Sequence, residues 1–113
     1  MYVTNRQKTE QKIAASGAPV WWLLAEEHGV PNFEMRYFEL APGAETKAGH
    51  HPWEHEVFIV KGSGTVAGAD GEHTVGPGDA LFIAPDEPHQ FMNRTNETLG
   101  FICVVPKGVE KRA

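Results

Sequence analysis

At 113 residues, 41% hydrophobic and 22% charged, the chain is sized for one domain whose core needs no metal or disulfide staple. A formal charge of -5, with no cluster of Lys and Arg interleaved with aromatics, leaves no basic field to follow phosphates and excludes nucleic acid as a partner. The longest apolar run, Pro19 to Ala25, falls far short of the roughly 20 residues that span a bilayer, which excludes a membrane partner.

Residues 1–19 read as an N-terminal arm, polar and of mixed charge. Only Ile13-Ala14-Ala15 suggests a short strand or turn that docks. Met1 to Arg6 lacks the basic-then-apolar layout of a signal peptide and the single Cys103 forms no internal disulfide, so a cytoplasmic location is expected. Val20 to Leu24 has strand chemistry, and Glu26 to Asn32 supplies the turn that ends it. Alternation over Phe33 to Leu40 puts Glu34, Arg36, Phe38 and Leu40 on one face, with Phe33, Met35, Tyr37 and Glu39 on the other. Neither face is purely polar, as expected inside a sandwich or at a subunit contact.

From Glu56 onward apolar runs alternate with Gly- and Pro-rich breaks. The runs are Val57–Val60, Thr65–Ala67, His73–Val75, Ala80–Ala84 and His89–Met92. A last strand, Leu99 to Val105, stops at Pro106, and residues 108–113 form a charged tail expected to fray. Short strands with turns this frequent predict an all-β sandwich or barrel over 20–107, and no amphipathic helix is evident. Gly62-Ser63-Gly64 is followed by β-type residues, so it does not build a phosphate cradle. Cys103 has no sequence-local base to make it a nucleophile.

Three of the six histidines, His50, His51 and His55, crowd just before the strand that starts near Glu56. Regular alternation gives His51 and His55 one parity and His50 the other, with Pro52 interrupting the run. His89 opens a later strand with Phe91 on the same side. Imidazoles converging from two strands form an open metal site, completed by water or substrate. Against this, isolated strand histidines are commonly only satisfied polar groups, and His28 and His73 are read as solvated.

The chain resembles a small single-domain cupin. The first cupin motif runs glycine, five residues, His-x-His, three or four residues, Glu, six residues, glycine; here Gly43, Gly49-His50-His51, His55 and Gly62 stand at those spacings. The second motif is matched from Gly78-Asp79 through Pro85-Asp86 to His89 and Asn93, with Ala84 and Asp86 where proline and glycine are usual. The resemblance implies a double-stranded β-helix, or jelly roll. His51-Pro52-Trp53-Glu54-His55-Glu56 is similar to a bacterial subgroup in which histidine replaces the usual glutamate ligand, giving a four-histidine site that can hold manganese. That subgroup's first ligand falls on Gly49, so the carried-over metal ligands are His51, His55 and His89. Either the site has three histidines and an extra water, or a bulge at Gly49 swings His50 inward.

Pocket candidates follow from strand parity. Arg36 shares a face with Phe38 and Leu40, and a buried guanidinium needs an anion: either a substrate acid or an ion pair with Glu34 or Glu97 at a rim. Phe101, Cys103 and Val105 share a face read as an apolar pocket wall. Trp21, Trp22 and Trp53 are read as core or subunit contacts, and Glu54 and Glu56 as pointing away from the metal. A histidine-only set suits manganese, iron, nickel, copper or zinc. The resulting expectation is a metal-dependent oxidoreductase of dioxygenase type acting on a small organic substrate. A non-redox isomerase or lyase is the alternative, weakened by the lack of a good proton carrier, and a binding module without turnover is a third. The tryptophan-rich segment and the strands apolar on both faces also predict a homodimer.

Overall fold

The computed structural model describes residues 1–110. Among the described residues, irregular loops connect nine strands: β1 (Gln11–Ile13), β2 (Pro19–Leu24), β3 (Phe33–Leu40), β4 (His55–Lys61), β5 (Gly64–Gly68), β6 (Gly71–Val75), β7 (Ala80–Ile83), β8 (Gln90–Met92) and β9 (Leu99–Pro106), with two short 3-10 turns, one before β1 and one between β2 and β3. They form a six-stranded antiparallel sheet in the order β1-β2-β3-β9-β4-β7 and a three-stranded sheet in the order β6-β5-β8. The two sheets close around one core as a jelly roll, which agrees with the all-β sandwich or barrel predicted from turn frequency and with the jelly roll that the resemblance implies. Among the described residues, no helix is long and apolar enough to cross a membrane.

The faces of β3 divide as alternation predicts. Glu34, Arg36, Phe38 and Leu40 are all buried, whereas on the other face Phe33, Met35 and Glu39 are not and Tyr37 alone is. Inside, Phe101 of β9 lies between Phe38 and Phe91, with ring centroids 5.3 and 4.5 Å apart, so stacked aromatics from both sheets fill the interior. Gly62 of the first motif has φ 71°, and a Cβ there would stand 2.2 Å from the Thr98 carbonyl oxygen. Only glycine fits between these two chains.

Both terminal segments dock on the fold, the first where Ile13-Ala14-Ala15 suggested it and the second contrary to expectation. Part of the predicted arm is sheet: β1 pairs with β2 through Gln11 opposite Trp21, and Lys47 N donates to the Ser16 carbonyl at 2.9 Å. The tail expected to fray is fastened at its start. Lys107 N donates to the Asn32 carbonyl at 3.0 Å, Gly108 N donates to Glu34 Oε1 at 3.1 Å, and Val109 packs against the core. Buried Glu34 is what holds it, since its second oxygen also accepts from Glu26 N at 2.9 Å. Of the predicted tail, residues 111–113 lie outside the described residues.

Asp86, standing where the second motif usually has glycine, is the single non-glycine at positive φ among the described residues, at 63°. Its backbone N–H donates to the His51 carbonyl at 2.7 Å, so this left-handed residue ties the turn after β7 to the histidine loop. Asp tolerates that region better than residues with larger or branched side chains. Asp86→Val is therefore expected to lower stability by about 1–2 kcal/mol, and Asp86→Gly to leave it equal or slightly higher, as read from urea unfolding midpoints.

Candidate metal centre

Side-chain nitrogens of His51, His55 and His89 lie within 4.8 Å of one another. They arrive from three different pieces of backbone. His55 is the first residue of β4, paired with Ile83 of β7, and is 6% exposed. His89 sits in an isolated bridge with Gly49, just ahead of β8. His51 belongs to no strand, so strand parity does not place it: the 49–54 loop does, through the Asp86 bond to its carbonyl and the stacking of its ring on Trp53, with centroids 4.4 Å apart. His50 is exposed and lies outside the three-nitrogen group, although it lines the same cavity.

The chemistry of these donors fits a divalent ion. His89 Nδ1 lies 2.8 Å from the Glu87 carbonyl, which can only accept, so Nδ1 carries a proton and Nε2 is the nitrogen left available to an ion. Nε2 of His51 and Nε2 of His55 face each other. On the far side of His55, Nδ1 lies 3.2 Å from Cys103 Sγ, a sulfur able to accept a weak hydrogen bond from Nδ1–H when Nε2 coordinates. Burial, followed by the charge of Arg36, pushes the His55 pKa from 6.5 down to about 3. Burial and then the neighbouring His89 also hold His51 below its ordinary value. Neutral imidazole is the form that binds a metal, and a set without carboxylate suits borderline transition ions.

A cavity of about 630 Å³ opens beside the triad. Its walls include Phe38, Phe91 and Phe101 from the core, Trp53, and Ala14 to Ser16 from the segment predicted as an arm. Arg36, Phe101 and Cys103, the residues singled out by strand parity, all line it. Arg36 and Cys103 are direct cross-strand partners on β3 and β9, and Arg36 Nη2 donates to Cys103 Sγ at 3.1 Å. Burial raises the Cys103 thiol to about 11, which keeps it a protonated wall residue in the absence of metal.

Two assignments change. Arg36 pairs with neither Glu34 nor Glu97: Nη1 donates to Glu110 Oε1 at 2.7 Å, and the guanidinium lies over Trp22 and Phe38. The Glu34 carboxylate is occupied by the backbone N–H groups of Glu26 and Gly108. Trp53, read as core or subunit contact, lines the cavity, and its Nε1 donates to Glu110 Oε2 at 3.2 Å. Glu110 itself gave no local signal, because it lies beyond the last strand and 74 positions from Arg36. Asking which acid balances a buried arginine was the one route to it. His28 and His73, read as solvated, lie outside the centre: His28 Nδ1 accepts from Ala25 N, and His73 pairs with Asp70.

A Cupin domain family model matches residues 36–105, which hold both motifs and all three histidines. The chain is a cupin. Among its relatives is 1-methylthio-D-xylulose 5-phosphate methylsulfurylase of Rhodospirillum rubrum, 38% identical over 72 residues, which are 64% of this chain and 46% of that protein. The cupin thus spans about half the length of this curated relative. Among solved structures, the polyketide cyclase RemF from Streptomyces resistomycificus aligns with a TM-score of 0.86 at 29% identity, over 99% of this cupin and 81% of that chain. A cupin 2 domain-containing protein from Halorhodospira halophila aligns with a TM-score of 0.78 at 33% identity, over 90% and 72% of the two chains.

The low His55 pKa has a stability consequence in the metal-free protein. Between about pH 6.5 and 3 the unfolded chain takes up a proton at His55 that the folded chain refuses. Folding stability should therefore fall as pH drops through that window and recover as it rises. Thermal melts of EDTA-treated protein from pH 7 to 4 should show the slope, and His55→Asn should flatten it.

Proposed function

We propose that this cupin is an enzyme that holds one divalent metal ion through His51, His55 and His89 and acts on a small planar organic molecule in the adjoining cavity. The observation carrying this reading is the convergence of three imidazoles beside a 630 Å³ cavity with stacked phenyl rings in its wall. Manganese is favoured by the likeness of His51-Pro52-Trp53-Glu54-His55, and the donor set also suits iron, copper, nickel or zinc. When bound, the ion supplies Lewis acidity and, for a redox-active metal, oxygen chemistry. The chain supplies the rest: the phenyl wall orients a flat body, Trp53 and the aromatic interior exclude water, and Arg36 attracts negative charge.

Non-redox chemistry of isomerase, lyase or cyclase type is the reading best supported. Its weakness in the sequence was the want of a proton carrier, but the exposed residues Lys47 and His50 both line the cavity and bring two ionisable side chains to it. RemF, named as a polyketide cyclase, gives the same direction. Dioxygenase-type oxidation is the second reading, favoured by the apolar depth of the pocket and by a thiol at Cys103 that is no proton carrier near neutral pH.

Metal content separates ligands from neighbours. His51→Ala, His55→Ala and His89→Ala should each cost at least tenfold in metal affinity, while His50→Ala should retain metal. Loss of metal in His50→Ala would refute the three-histidine set. On the metal-loaded protein, oxygen uptake with aromatic acids and phenols would favour the oxidative reading. Solvent deuterium entering a substrate without oxygen uptake would support the non-redox one.

We also propose a homodimer formed by the outer face of β4, β7 and β9. Phe58, Val60 and Phe82 are exposed there, Phe82 at 65%, beside half-buried Ile102 and Val104. Light scattering should give a dimer for the native chain and a monomer for Phe58→Lys/Phe82→Lys; a native monomer at micromolar concentration would refute it.

A further inference from the structure

Arg36 is a permanent charge placed in the core. It is 2% exposed, its guanidinium lies over the rings of Trp22 and Phe38, and it lines the cavity. Among the described residues its polar partners are the Cys103 sulfur and the Glu110 carboxylate, and Arg36 Nε has none. A guanidinium presents five N–H donors and cannot shed its proton, so it needs an anion, and this one is under-used. Through Cys103 it connects to His55: Arg36 Nη2 to Sγ is 3.1 Å, and Sγ to His55 Nδ1 is 3.2 Å. An anion bound at Arg36 would have the rest of its molecule beside the histidine triad.

The anion now there is attached differently from everything else in the pocket. The chain is pinned at Lys107 and Gly108 by Asn32 and Glu34, and Gly108 has φ 80°, a left-handed turn open to glycine. Beyond that turn come Val109 and then Glu110, whose carboxylate is held by Arg36 Nη1 and Trp53 Nε1. The Glu110 side chain is 19% exposed against 2% for Arg36. Held only through its carboxylate, Glu110 can turn toward water by rotation of its own side chain while Val109 stays packed against the core, whereas Arg36, in the middle of β3, cannot follow. A buried charge left alone is strongly disfavoured, so Glu110 leaves only in exchange for another anion.

We propose that the pocket takes a small planar carboxylate whose anionic group binds Arg36, and that the Glu110 carboxylate occupies this place in the free protein as a displaceable strap. Stacked Phe38, Phe101 and Phe91 fit the flat body, and the guanidinium fork fits the carboxylate. The proposal rests on the cavity being the substrate site, as in the proposed function, but it does not require a metal. Glu110 acts as a tethered competitor: apparent affinity equals intrinsic affinity multiplied by the fraction of chains in which the strap is open.

Benzoate binding to the EDTA-treated, full-length protein tests this by calorimetry, with neutral benzamide as control. Glu110→Gln, which cannot present a charge, should bind benzoate at least tenfold more tightly than the native chain and benzamide equally well. Arg36→Met, checked for folding by circular dichroism, should lose benzoate binding. Saturating benzoate should also move the Trp53 indole N–H resonance of the native protein to its position in Glu110→Gln, a readout independent of whether Arg36→Met folds. Equal or weaker benzoate binding by Glu110→Gln, or an unmoved Trp53 resonance, would overturn the strap. Because these measurements exclude metal, failure of the histidine triad to retain an ion would contradict the proposed function and leave this result standing.

Discussion

The interior of this protein is organised around a charge that cannot be neutralised in place. Arg36 lies in the middle of β3, opposite Cys103 on β9, against a core cluster made mostly of aromatic and aliphatic side chains. Burying a guanidinium costs several kcal/mol unless it is paired, and the pairing recruits distant parts of the chain. Glu110 comes back from beyond the last strand, Cys103 offers its sulfur, and Trp22 and Phe38 give ring faces. The same positive charge, after burial, keeps His55 neutral, the form that binds a metal. A feature that is unfavourable for folding alone thus conditions the site.

Placement of the three histidines depends on one turn as much as on the sheets. The Ala84–Glu87 turn closes with Glu87 N donating to the Ala84 carbonyl at 3.1 Å, and Glu87 Oε1 accepts from Ala84 N at 3.0 Å. Glu87 Oε2 also takes Ala69 N, which fixes the turn to the β5–β6 hairpin. From this platform Asp86 N holds the His51 backbone and the Glu87 carbonyl orients His89. His55 follows from its pairing in β4. Two histidines set by a side-chain-braced turn and one by a sheet make a rigid triangle from short elements, the support that an open metal site requires.

Strands were legible because their signal is local. Alternation in Phe33–Leu40 and Gly-rich breaks after Glu56 are written in neighbouring residues, and the motif glycines mark turns that sterics enforce. The site was legible only in part. His55 and His89 lie in or beside strands, where parity is informative, whereas His51 is placed by a loop whose geometry comes from Asp86, a residue with no periodic relation to it. Trp53 escaped for the same reason. Glu110 was invisible because its partners are distant in sequence, and the docking suggested by Ile13-Ala14-Ala15 carried no sign that Ala14 to Ser16 would wall the cavity. Charge balance carries such information where periodicity does not: a strand that buries arginine predicts that some acid must reach it.

The central claim is that His51, His55 and His89 bind a metal ion while His50 does not. The most direct measurement is a crystal of the manganese-loaded protein recorded on either side of the manganese absorption edge. One anomalous peak per chain is predicted, about 2.1 Å from one nitrogen of each of the three rings, with the remaining positions facing the cavity. A peak coordinated by His50, or none at the triad, would contradict the account.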